Sequence, residues 1–341
     1  MKAILVRMPN HLGDCVMALP AIGAALSCRS DFDYHLMYPA WAGVLFRDLP
    51  AMQHLPLEQP YLHGPAAIRM QTGLIREFHF DGGALLTPSF SSALIFYLGG
   101  VRRRYGYARE GRGMFLNRPV APMGVTGHRS QSYLHLMSAL CETDLQGEPP
   151  QVDITDDLRG SVRGLLNGFG FRSDEEYVVI APRAVAASRR WGAQNYAALA
   201  AKICGDMNLR VLLLGTAGER ADGDIIACEN PGVVNLCGQT EIGQAAAILV
   251  GARLFVGNDS GLAHLAAAVQ VPLVVLSGAD LPSETSPLSD DKIVLIKDHL
   301  ECISCVKNVC PFKDERQMQC MRQITVEEVY AATRRQLEQS P

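Results

Sequence analysis

The chain has no apolar run long enough to cross a membrane. Its longest runs, around 93–98 and 245–250, fall far short of the roughly 18 residues a span requires. It has no recognisable export signal either. Arg7, Pro9, His11 and Asp14 break the opening apolar run too early for a secretory core, so a cytoplasmic location is expected. It lacks a positive charge excess: 31 Lys+Arg stand against 35 Asp+Glu, a net −4, which argues against a general nucleic-acid coat protein. No nucleic-acid partner is expected. G-x-G-x-x-G, low-complexity tracts and short-period repeats are all missing.

What is present is material for burial. Hydrophobic residues make up 48% of 341, and at roughly 150 residues per domain the length predicts about two domains. Short apolar strands alternate with Ala- and Leu-rich helices in two series. The first opens with a strand over 3–8 and a helix over about 15–27 that contains Pro20, where a kink or shifted start is expected. Strands over 33–38 and 84–87, a helix over 88–98, loop or short strands over 101–118 and a helix over 133–141 follow. A polar stretch at 150–175 reads as the connection. The second series places strands at 177–181, 210–214, 233–236, 254–256, 272–276 and 293–296, with helices between, and a last amphipathic helix from about 325. Such alternation implies parallel sheets with crossover helices, hence an α/β fold of two doubly wound domains facing each other.

Six segments carry candidate chemistry. In 255–264 a strand ends at Gly257, and Asp259, Ser260 and Gly261 open a helix with His264 one turn in. Free N–H groups at a helix start bind anions, and Gly261 permits close approach. The plainer alternative is a capped helix with a core histidine. Gly13 and Asp14 follow the first strand, where Asp14 either caps its own helix or serves as a general base. Ser188, Arg189, Arg190 and Trp191 precede a helix, and an Arg there suits a diphosphate or is merely solvated. Gly215 and Glu219 lie in a tight loop after a strand, with Glu219 either meeting ribose hydroxyls or capping. The stretch 101–118 holds six Arg, including Arg102, Arg103 and Arg104, against one Glu, so it is either a solvated face or a contact for an anionic partner. Cys302, Cys305, Cys310 and Cys320 fit a structural zinc or iron site, reduced packing thiols, or a disulfide.

Together these segments resemble glycosyltransferase family 9, the ADP-heptose:lipopolysaccharide heptosyltransferases. The resemblance rests on ILVRMPNHLGDCVMALPA near the start, TPSFSSAL at 87–94, GGVRRRYGY at 99–107, SRRWGAQNYAALA at 188–200 and above all VGNDSGLAHLAAAVQVPLVVLSG at 256–278. The SFSSAL and RRRYGY segments are closer to the second heptosyltransferase than to the first. The resemblance implies a GT-B architecture: an N-terminal acceptor-binding domain over 1–160, a nucleotide-sugar domain over 161–324, a central cleft, and a final helix over 325–341 crossing back to the first domain. It implies an inverting transferase that requires no cofactor or catalytic metal, with ADP-heptose as donor. The acceptor would be a phosphorylated inner-core glycolipid, reached by peripheral contact at the cytoplasmic face of the inner membrane. Asp14 matches the general base, Asp259, Ser260, Gly261 and His264 the donor-site helix start, and Thr240 and Glu219 the adenosine contacts. Arg189 stands where the family usually has Lys. Arg183, Ala184 and Val185 replace small or hydroxyl residues, which shifts one phosphate contact to Arg183. A same-family transferase with another nucleotide sugar or a protein acceptor, an epimerase on the same fold, and an inactive carbohydrate-binding or assembly protein are the alternatives.

Overall fold

The computed structural model describes every residue except 48, 50, 51, 59–62, 125, 126, 173, 174, 229, 340 and 341. Ser173 and Asp174 of the expected linker, and the last two residues of the expected final helix, therefore lie outside the described residues. The chain divides into two compact units, Met1–Pro150 and Gln151–Pro341.

The first unit is a six-stranded sheet of β1 (Lys2–Arg7), β2 (Phe32–Pro39), β3 (Met52–Leu57), β4 (Gly82–Leu85), β5 (Arg103–Tyr107) and β6 (Arg118–Val120). Its helices are α1 (Leu12–Cys28), α2 (Gly64–Arg76), α3 (Phe90–Leu98) and α4 (Arg129–Cys141). Every strand pair is parallel, in the order β3-β2-β1-β4-β5-β6. Leu5, Met37, Ile75, Phe80 and Phe96 form the core on one face, while α1 packs on α4. Helix α1 runs straight through Pro20 as one element. Its residues Val16 to Ile22 are almost all buried, and that burial outweighs the roughly 3 kcal/mol a mid-helix proline costs.

The second unit repeats the plan. Helix α5 (Asp156–Gly168) leads into β7 (Tyr177–Ala181), α6 (Ala193–Met207), β8 (Arg210–Leu213), α7 (Arg220–Ala227), β9 (Val233–Asn235), α8 (Ile242–Val250), β10 (Leu254–Asn258), α9 (Gly261–Ala268), β11 (Leu273–Leu276), α10 (Pro282–Thr285), β12 (Lys292–Leu295), α11 (Gln319–Arg322) and α12 (Val326–Gln339). The sheet order is β12-β11-β10-β7-β8-β9, again parallel throughout. The division at 150 rather than 160 has a physical cause: α5, which the polar composition hid inside an expected linker, packs on α8 of the second unit. Helix α12 packs on α6 and on β10, β11 and β12, burying Val329 and Ala332 in the second unit's core, so its apolar stripe is used within that unit.

Each sheet begins in its middle and grows first one way, then the other. The reversal lies between β1 and β4 in the first unit and between β7 and β10 in the second. Beyond the carboxyl ends of strands at such a switch point, open α/β sheets bind their ligands. No described helix is long and apolar enough to cross a membrane.

Candidate active site

In the first unit the switch point carries Asp14, in the first turn of α1 directly after β1. Its Oδ1 accepts hydrogen bonds from the Tyr133 hydroxyl at 2.9 Å and from Arg129 Nη1 at 3.1 Å, both on α4. The carboxylate side chain is 17% exposed, so it is oriented by two donors yet open to a substrate. Tyr133 is buried; burial and the neighbouring Asp14 charge push its hydroxyl well above the usual phenol range, so it remains a donor. Its recorded bonds are thus long-range, and α1 has no side-chain capping bond. Tyr133 and Arg129, more than a hundred residues away, carried no sequence signal beyond the place of Tyr133 at the start of an expected helix, which in the structure begins four residues earlier and takes in Arg129. Gly13 is buried within α1. Below the site, Arg7 at the end of β1 bonds Met8 O at 2.5 Å and Asn10 Oδ1 at 2.8 Å, and burial pulls its pKa down to about 10.

The cations Arg102, Arg103 and Arg104 lie elsewhere. Arg103 pairs in register with Gly82, and Gly82 with Ile4, three residues before the end of β1. At ~3.3 Å per residue, that is ~10 Å of strand between them and the edge carrying Asp14. They occupy the opposite edge of the sheet, where Arg102 meets Asp81 at 3.2 Å and Arg103 meets Glu142 at 3.9 Å. Arg104 is tied to Phe115 O at 2.6 Å and Val101 O at 2.7 Å. The three expected acceptor contacts therefore stand at the edge of the sheet away from Asp14: a parallel strand presents its two ends to opposite edges, and a run of like charges does not say which. Of the same stretch it is Arg112 that reaches the carboxyl-end side, buried and donating to Thr87 O and Tyr107 O.

In the second unit the switch point is built from β7, β10 and β11. Ser260 caps α9 with extended backbone, but its hydroxyl makes no capping bond. Asp259 is 3% exposed and accepts from Thr285 Oγ1 at 2.9 Å, with His264 Nε2 3.5 Å from its other oxygen. Burial works against its charge. The hydrogen bond and charge of His264, the Thr285 hydroxyl and the charge of Arg189 outweigh that and hold the carboxyl below its ordinary value. Asp259 therefore orients His264 rather than facing a ligand as a bare acid. Around it Arg189 Nε, Asn258 Oδ1, Ser260 Oγ and His264 Nδ1 are buried with no hydrogen-bond partner. Buried polar atoms are rarely left so, and a concentration of them at one helix start marks a site that a polar ligand completes.

The loops after β7, β8 and β9 stand along the same edge. Arg183 pairs with Asp222 at 2.8 Å and donates to Gly218 O at 3.2 Å, so it braces the β8 loop. Glu219 accepts from Thr216 N at 2.7 Å in a capping box, which realises the capping alternative for this residue. A Cβ at Gly215 would lie 2.5 Å from Glu219 Oε2, so only glycine leaves room for that box. Gly238 N–H bonds Gly215 O at 2.8 Å, stapling the β8 and β9 loops, and Thr240 follows just before α8. One buried acid escaped the sequence reading. Asp280, after β11, accepts from the Ser277 hydroxyl and from Gly278 N at 3.2 Å. Burial, then the Asp259 charge, pushes its pKa up to about 6.

The thiols of Cys302, Cys305, Cys310 and Cys320 are free. Among the described residues no group of three or more His, Cys, Asp or Glu stands close enough together to hold a metal ion. Cys320 is buried on α11, while the other three lie half-buried in the loop before it, so of the three alternatives the disulfide is not formed.

Comparison with known proteins decides the family. Residues 71–315 match the model for glycosyltransferase family 9 (heptosyltransferase). The chain belongs to that family. It is 29% identical over 302 residues to lipopolysaccharide heptosyltransferase 2 of Escherichia coli K12, covering 84% of this chain and 85% of the relative. The solved E. coli ADP-heptose lipopolysaccharide heptosyltransferase II superposes with a TM-score of 0.80 at 26% identity, covering 99% of both chains. A family 9 glycosyltransferase from Veillonella parvula shares the fold, with a TM-score of 0.82 at 18% identity over 99% of this chain and 98% of that one. The two parallel sheets are accordingly the Rossmann-like pair of the GT-B architecture, and the protein is a glycosyltransferase.

Proposed function

We propose that this family 9 enzyme moves heptose from ADP-heptose to the inner core of lipopolysaccharide, with the second unit holding the nucleotide sugar and the first the acceptor. The observation that carries this reading is the group of unpartnered buried atoms at the start of α9. A diphosphate supplies the acceptors that Arg189 Nε and the free helix N–H groups lack, at the positive end of the helix.

The chemistry is a single displacement. The acceptor hydroxyl attacks the anomeric carbon from the face opposite the diphosphate, the bond to ADP breaks, and the configuration inverts. Asp14 takes the hydroxyl proton while Tyr133 and Arg129 hold its carboxylate in place. Arg189 steadies the departing diphosphate by charge. Preorganised donors of this kind contribute about 3–4 kcal/mol each. Arg183, Glu219 and Thr240 border the space on which the adenosine would lie.

The acceptor is a glycolipid, and the first unit offers a face for its membrane. Helix α3 exposes Phe90, Tyr97 and Leu98, and the adjoining turn exposes Met114. Phe115 packs its ring between Phe90 and Tyr97, and the Arg104 guanidinium lies over Tyr97. Aromatic and sulfur side chains beside Arg104 suit the boundary of an anionic bilayer, at the cytoplasmic face in this reading.

The test incubates the protein with ADP-heptose and an inner-core acceptor bearing one heptose, following ADP release and addition of one heptose by mass spectrometry. Turnover only with UDP- or GDP-sugars would replace the donor, and turnover only with a protein acceptor would replace the glycolipid.

A further inference from the structure

The segment 302–320 takes no part in the chemistry above, yet it is bonded to two loops of the donor half. Ser188 donates its N–H to Asn308 O at 3.1 Å and its buried hydroxyl to Lys307 O; Arg189 is the next residue. From another side, Ser304 N donates to Gly278 O at 2.9 Å and Val306 N to Ala279 O at 2.6 Å, immediately before Asp280. Below that loop a Cβ on Gly278 would meet Met321 Sδ at 2.5 Å and Cys320 Sγ at 3.1 Å, so α11 lies directly against it.

The segment's own backbone would not choose this path. Ser304, Val306 and Met318 have φ of 54°, 56° and 57°, in the left-handed region that a β-branched residue such as Val306 strongly avoids. Strain of this kind persists only where the surroundings impose it. Here they include the four bonds to the donor loops and the Met318 N–H bond to Cys310 Sγ at 3.4 Å. Cys302, Cys305 and Cys310 are only half-buried, and all three lie near enough for their charges to bear on Cys320, which burial first and these charges second push up to about 11.

We propose that the segment 302–320 is a positioning element of the donor site. It holds the Arg189 loop from one side and the Asp280 loop from another, so that a change at its cysteines is felt as a change in nucleotide affinity. This rests on the donor-site reading, because Arg189 acts there on the diphosphate. The leverage is geometric: a misplacement of about 1 Å in a preorganised contact can cost on the order of 100-fold.

The experiment uses the full chain with the exposed Cys28 and Cys228 replaced by serine, alkylated under native conditions with iodoacetamide and mapped by peptide mass. Hydrogen exchange, which needs no nucleotide, is expected to quicken in 186–191 and 277–281 once Cys302, Cys305 and Cys310 carry the label. Calorimetry with ADP is expected to show affinity at least about tenfold lower. Ser188→Ala should lower ADP affinity in the same direction, and Ser188→Thr, which keeps the hydroxyl, should restore it. Unchanged exchange in both loops after complete labelling overturns the proposal, as does a response in exchange with ADP affinity unmoved. A chain that gives no ADP signal before labelling overturns the donor-site reading instead, and the exchange result then judges by itself whether the segment 302–320 holds the two loops.

Discussion

The two units share one strand order but differ in how their switch points are furnished, although each leaves buried polar atoms unpartnered, Arg7 Nε and Thr87 Oγ1 in the first. In the first, Asp14 is already provided for, with Tyr133 and Arg129 both bonded to one of its oxygens. In the second, Arg189 Nε, Ser260 Oγ and His264 Nδ1 around α9 are buried without a partner. A general base must be oriented before substrate arrives, whereas an anion site gains most when its donors are saved for the ligand. On the proposed reading the same backbone serves two roles through a handful of side chains, and function is set by the site rather than by the fold.

The sharpest way to break this contrast is Asp14→Asn. Asparagine keeps an oxygen that can accept from Tyr133 and Arg129, so the thermal midpoint should stay close to that of the unaltered protein. It cannot take a proton, and kcat should fall roughly 100- to 10,000-fold with ADP affinity unchanged. Near-normal kcat would remove Asp14 from the base role.

Asp280 tests the donor half through stability. Its pKa is 3.8 in the reference state and about 6 in the fold, raised by burial and by Asp259. The folded state therefore holds a proton that the unfolded chain has lost between those values. The stability linked to this proton is full below about pH 3.8 and is lost as pH rises through 6, by at most about 3 kcal/mol. Asp280→Asn cannot ionise. It should melt higher than the unaltered protein at pH 8, with the gap closing toward pH 4. A gap independent of pH would mean that the carboxyl does not titrate there.

What could be read from residues alone follows the same division. The proposed anion site is local: Asp259, Ser260, Gly261 and His264 fall within six residues, and a strand end followed by a helix start announces itself in composition. The architecture was also legible, since strand–helix alternation is a property of short windows. The partners of Asp14 were not legible, because Tyr133 and Arg129 meet it only through the packing of α4 on α1. Helix α5 was hidden for another reason. It buries only Val162 and Leu166 and opens with Asp156 and Asp157, so its sequence looks like a linker. Asp280 was missed because a lone acid after an apolar strand looks like a turn residue until the fold sets Asp259 beside it.

Tyr133→Phe sharpens the comparison from the first unit. It removes one charge-assisted bond to Asp14, about 1–3 kcal/mol in a buried setting, and leaves Arg129 in place. A loss of roughly tenfold in kcat with no change in ADP affinity is expected. Equal losses in both would mean that the substitution acts through general destabilisation of the protein.

The smallest effect is expected where sequence charge pointed most strongly. Arg102→Gln with Arg103→Gln removes two cations from the stretch 101–118, but both stand at the edge of the sheet away from Asp14 and face Asp81 and Glu142. Exposed pairs of this kind contribute about 0–1 kcal/mol. With a detergent-dispersed acceptor, where no bilayer is present, kcat/KM should change less than about twofold. A loss of tenfold or more in that assay would place acceptor contacts at the amino ends of β4 and β5. The acceptor would then have to span the sheet from one edge to the other, and the assignment of binding to the carboxyl ends of the strands in the first unit would have to be withdrawn.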